Sequence, residues 1–112
     1  MFEGRELITL IKPDGTVIEN IKADVQPTTI FIFDVMIPLE EGDKLYRKLP
    51  NGLIEAFIVQ DRCYYSSWGP FPERYEAKVK KEAIVDEEKY QSIKNEYHLN
   101  GNARMYIQSV DN

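Results

Sequence analysis

One cysteine, Cys63, and one histidine, His98, form the chain's only possible thiol–imidazole pair. A thiolate nucleophile needs its base within hydrogen-bond reach, yet the two residues come from different segments and neither sits in a local motif. They are read as a half-buried thiol and as a solvated histidine near a helix C-terminus, where its positive form suits the dipole. Three carboxylates crowd together at Glu40, Glu41 and Asp43. A calcium loop presents more oxygen ligands at alternating positions, so these are read as turn carboxylates and no metal is expected. Neither GxGxxG nor GxxxxGK[ST] occurs, which removes the usual cradles for dinucleotides and nucleoside triphosphates. The sequence therefore assigns no catalytic residue and no cofactor, and the chain is read as a non-enzyme.

The feature that stands above background is aromatic. The stretch "DRCYYSSWGPFPE" (61–73) packs Tyr64, Tyr65, Trp68 and Phe71 into one loop, in a chain that averages 12% aromatic residues. Gly69, Pro70 and Pro72 exclude regular structure there. Two readings stay open. The rings plug an open end of a sheet, or they anchor a partner, because tyrosine and tryptophan combine large area with a polar handle. On the second reading the binding set is Arg62, Tyr64, Tyr65, Trp68, Phe71 and Arg74, and the partner is a protein of unknown identity. The alternative is a protein that sequesters a small nucleotide, its base stacked on the 62–75 loop and its phosphate met by Arg62 or Arg74.

Charge narrows the partner. Fourteen Lys and Arg against nineteen Asp and Glu leave a net charge of −5, whereas tracking a long nucleic acid requires clustered cations. One cysteine excludes an internal disulfide framework and fits a reducing compartment. There is no basic start followed by a long apolar run, and no stretch of about 20 apolar residues that could span a bilayer. The expected setting is the cytoplasm, away from membranes.

The elements that must position these residues are mostly strands. "RELITLIK" (5–12) and "TVIENIKA" (16–23) flank Pro13-Asp14-Gly15, a turn in which proline presets φ and glycine takes the positive φ. Val17, Ile21 and Ala23 are expected on one face, with Ile18 on the other. "TTIFIFDVMI" (28–37) is apolar on both faces, as a strand covered on both sides requires. "KLYRKL" (44–49) and "LIEAFIVQ" (53–60) flank Pro50-Asn51-Gly52, and Asn-Gly is the strongest short hairpin signal. "RYEAKVKK" (74–81) alternates with Tyr75, Ala77 and Val79 inward and its lysines mark it as lying near an edge. From Glu82, "EAIVDEEKYQSIKNEYH" (82–98) has helical spacing at Tyr90, Ile93 and Tyr97, and "NARMYIQSV" (102–110) alternates as a final strand.

At 112 residues the chain is expected to form one domain. It is mainly β (α+β), with a small six-strand curled sheet or barrel, one C-terminal helix and a final strand. Residues 1–81 make the β-barrel-like module. Residues 82–112 make the helix and last strand, an oligomerisation element whose thin stripe (Tyr90, Ile93, Tyr97) and exposed strand face (Met105, Ile107) call for a second copy. A homo-oligomer is the expectation.

The segments "IKPDGTVIENIKADVQ" (11–26), "IPLEEGDKLYRKLPNGLIEAFIVQD" (37–61) and "RYEAKVKK", with the tail "YHLNGNARMYIQSVDN" (97–112), resemble an uncharacterised family of bacterial and prophage-encoded proteins. The resemblance implies an N-terminal β module followed by an aromatic loop, and carries no catalytic residue. Many relatives continue past the asparagine-rich tail, so this chain is expected to be an excised domain or a naturally short version. A looser likeness, of architecture alone, is to head-to-tail connector proteins of tailed phages. The function these likenesses imply is binding and assembly through protein–protein contacts, in phage defence, counter-defence or the virion.

Overall fold

The computed structural model describes residues 6–99, with side chains through Asn95. Alternating sequence becomes antiparallel sheet throughout. The strands are β1 (Glu6–Ile11), β2 (Val17–Val25), β3 (Thr29–Ile32), β4 (Lys44–Lys48), β5 (Ile54–Asp61), β6 (Tyr64–Tyr65) and β7 (Arg74–Val85), followed by the helix α1 (Glu87–Leu99). They order as β3-β2-β1-β4-β5-β7-β6, and β3 also pairs with β7. That extra pairing curls six of the strands into a ring, while the two-residue β6 adds only to the start of β7. The mainly β class expected from the sequence is the class observed, with seven strands among the described residues where six were expected before the helix.

The inside of the ring is the larger core. Leu10, Ile30, Ile32, Leu45, Phe57 and Ala77 are all at or below 1% exposure, and Tyr75 and Val79 complete the inward row of β7. Period-2 alternation places these residues on one face of each strand. Ile37 and Leu39, from the β3–β4 connection, join the same core. The Tyr75 hydroxyl donates to the Ile37 carbonyl at 2.8 Å and holds that connection in place.

Turn and bulge chemistry produces three local departures from the expected elements. β3 ends at Ile32, short of the strand expected to residue 37, because Asp34 turns the chain: its carboxylate accepts the Met36 N–H at 3.1 Å. Such side-chain bonds compete with a ladder. In β2 the pairing with β1 slips between Ile21 and Ile18, with Asn20 at φ +61°. A bulge reverses the facing of the residues on its far side. Ile18 therefore packs toward the inner core and Val17 toward the outer one, the reverse of the expected faces. Third, Glu82–Val85 extends β7 instead of opening the helix, in register from Ala56↔Ala83 to Ile54↔Val85. The strand thus runs through the expected boundary at 81/82. Asp86 then caps α1, its carboxylate accepting the Lys89 N–H at 2.8 Å.

The helix lies against the outside of the ring. Tyr90 is 3% exposed and packs with Ile11, Tyr46, Ile54 and Ala56, while Ile93 flanks the same cluster. The Tyr46 and Tyr90 rings are 5.3 Å apart. This corrects the reading of Tyr90 as a contact to a second copy: its ring is buried against its own sheet, whereas Ile93 is only partly covered there. The side chain of Tyr97, and Met105 and Ile107 with the expected final strand, lie outside the described residues.

Two stability measurements check this fold. Gly52 sits at φ +89°, and a Cβ built there meets no atom within 4 Å. Gly52→Val should therefore cost about 1 kcal/mol or more through backbone strain alone; equal melting of variant and wild type would show that the hairpin tolerates the change. Tyr90→Ala should cost about 3 kcal/mol by emptying the outer core, and an unchanged denaturation midpoint would mean that α1 adds nothing to that core.

Candidate binding surface on the aromatic hairpin

Residues 62–75 form a hairpin whose base is set by antiparallel pairing of Tyr64 with Tyr75 and Tyr65 with Arg74. Its tip is closed by two backbone bonds, Trp68 N–H to the Phe71 carbonyl at 2.8 Å and Phe71 N–H to the Trp68 carbonyl at 2.9 Å. Gly69, at φ +56°, makes the reversal between them. At the root, Cys63 takes φ +41°, its N–H bonded to the Asp61 carboxylate at 3.0 Å.

Paired residues on a ladder share a face, and the hairpin uses this to build a stack. The Arg74 guanidinium lies 5.1 Å from the Tyr65 ring centroid and 5.9 Å from that of Phe71. The Phe71 and Trp68 rings come next at 6.1 Å, tilted by only 12°. Arg74 is fixed there by Glu76 at 2.6 Å and by donation to the Pro72 carbonyl at 3.0 Å. On the opposite face Tyr64 meets Tyr75 edge-on at 6.1 Å and donates its hydroxyl to Glu73. That hydrogen bond raises the Tyr64 phenol above its ordinary value.

Exposure separates the two readings of these aromatics. Tyr64, Tyr65, Trp68 and Phe71 are 48, 45, 73 and 51% exposed, and none belongs to either core. Only Tyr64 touches an inner-core ring, that of Tyr75, and Trp68 stands furthest into solvent. Of the six residues singled out in sequence, four (Tyr65, Arg74, Phe71, Trp68) form the stack, and Tyr64 stands on the other face. Arg62 lies apart, its guanidinium 3.9 Å from Glu41 and its backbone N–H bonded to the same carboxylate at 3.0 Å. That backbone bond lowers the Glu41 carboxyl. Each arginine thus faces a carboxylate of its own chain. Sequence reasoning missed Glu73 and Glu76; the second was accessible, since Arg74 and Glu76 are two apart on an alternating strand and must share a face.

The Cys63 thiol and the acidic trio each sit in a local structural network. Cys63 is half-buried, and burial together with a hydrogen bond to Asp61 raises its thiol, which disfavours the thiolate. The side chain of His98 lies outside the described residues. Of the acidic trio, Asp43 is 1% exposed and holds the Lys12 ammonium at 2.7 Å, with Glu40 at 3.1 Å from the same nitrogen. The Glu40 N–H also bonds to Asp43, at 2.8 Å. An ammonium occupies the centre that a cation would need, and no group of three metal-ligating side chains occurs among the described residues. Among them, too, no helix is long and apolar enough to cross a membrane.

The buried pair yields a prediction with a pH sign. Burial raises the Asp43 carboxyl, and Lys12 opposes the rise. Lys12→Met removes that opposition, so the folded-state pKa climbs further above the unfolded one. A raised carboxyl stabilises below its unfolded pKa, and this contribution is lost as pH rises through the folded value. The variant should lose about 3 kcal/mol at pH 7 and less at pH 4. Denaturant midpoints at both values check it; a deficit that grows on acidification contradicts the assignment.

The chain matches no protein-family model, no curated protein and no solved structure.

Proposed function

We propose that this protein is a non-enzymatic binding and assembly module that engages a protein partner through the 62–75 hairpin. One observation carries the reading: a pre-formed stack of three aromatic rings and a guanidinium stands in solvent, with Trp68 73% exposed at its end. Large rings left outside the core mark an interaction surface. Rings already ordered by backbone bonds and stacking lose little entropy on association. The sequence likeness to bacterial and prophage proteins suggests the setting, a phage-related assembly or defence system inside a cell.

Trp68→Ala tests the reading. The residue belongs to neither core, so the variant should melt with the wild type while binding its partner about 2 kcal/mol more weakly, roughly thirtyfold. The measurement is capture of one mass-identified partner by both forms, then titration of that partner. Retention of full affinity by the variant would remove the hairpin from the interface.

A further inference from the structure

The stack of Tyr65, Arg74, Phe71 and Trp68 has an order. Its one charged member lies between two rings, and its last member is the tryptophan. Tryptophan offers the best π-face for a cation, and arginine is the cation that most often takes it. Here the indole stacks on Phe71 and remains 73% exposed. The surroundings favour positive charge. The chain carries −5 overall, and the stack's own cation, Arg74, is already paired with Glu76 at 2.6 Å.

We infer that the open face of Trp68 seats an arginine side chain from a basic segment of the partner protein. This rests on the hairpin being the binding surface and names what binds there. The incoming guanidinium extends the stack by one place, just as Arg74 already lies against Tyr65 and Phe71. It brings a charge that the acidic chain attracts. A lysine satisfies the field but not the stacking, because its ammonium is a compact point charge without a plane. A nucleobase satisfies the stacking but brings phosphate into a negative field. A proline-rich segment uses neither the charge nor the planar register.

Trp68 is the only tryptophan, so its emission reports on this face directly. The full chain is titrated with an arginine-glycine peptide, the same peptide with every arginine replaced by lysine, a proline-rich peptide of equal length, and AMP. The arginine peptide should change Trp68 emission saturably and bind about tenfold more tightly than the lysine peptide. Added salt should weaken both. Equal affinity for the arginine and lysine peptides overturns the inference, leaving only a diffuse field. A response to AMP or to the proline peptide without one to the arginine peptide overturns it as well. Should Trp68→Ala lose its partner protein while the arginine peptide fails to bind, the arginine assignment falls and the hairpin remains the binding surface.

Discussion

Closure of the sheet depends on one short pairing, β3 with β7. Four registers, Thr29↔Lys78 to Ile32↔Tyr75, join segments far apart in the chain. They bring Ile30 and Ile32 against the inward row of β7. Without this contact the sheet is an open ribbon with an apolar face turned to water; with it, that face becomes an interior. The same strand serves three neighbours, taking β3 on one edge and β6 then β5 on the other. The hairpin is therefore built on the strand that the ring most needs.

The ring alone does not satisfy the chain. β5 is buried on both faces from Ile54 to Phe57, so its outer side also requires cover. The helix provides it through Tyr90, and ion pairs tie the cover down: Lys94 to Glu19 of β2 at 2.5 Å and Lys48 of β4 to Glu87 at 3.6 Å. Exposed pairs of this kind contribute little; the apolar contact sets the position. A second polar network, with Arg47 bonded to Glu55 at 2.9 Å and Glu6 at 2.8 Å, places charge beside the inner core. Lys81 joins the network through Glu55 at 2.8 Å, and that contact chiefly lowers the Glu55 carboxyl.

Local chemistry in the sequence foretold the parts of this fold that local chemistry controls. Asn51-Gly52 and Pro13-Asp14-Gly15 marked their turns, and both glycines take positive φ. Tyr75, Ala77 and Val79 alternate inward because a strand has period 2. The bulge at Asn20 could not be foreseen, since nothing in "VIENI" distinguishes a continuous strand from one that slips. Glu82–Val85 was ambiguous for a similar reason: a short mixed run suits a helix start until pairing with β5 decides it. The aromatic cluster was visible as a density. Whether it folded over the ring or stood clear of it depended on pairing with β7, which also sets Arg74 beside Glu76. Lys12 and Asp43 meet one step beyond the last register of the β1–β4 ladder, Ile11↔Lys44, a pairing of distant segments that no local pattern announces.

β7 begins beside the aromatic stack and ends at the helix cap. Its twelve residues, Arg74–Val85, make a span of about 40 Å when extended. The strand pairs with β3 and β6 at its start and with β5 to its end, its register breaking at Glu82, and it joins the hairpin at one end to α1 at the other. Torque on the hairpin is then borne by the whole sheet instead of being absorbed in a hinge. A partner that grips the hairpin therefore pulls on the one strand that β3, β5 and β6 all share.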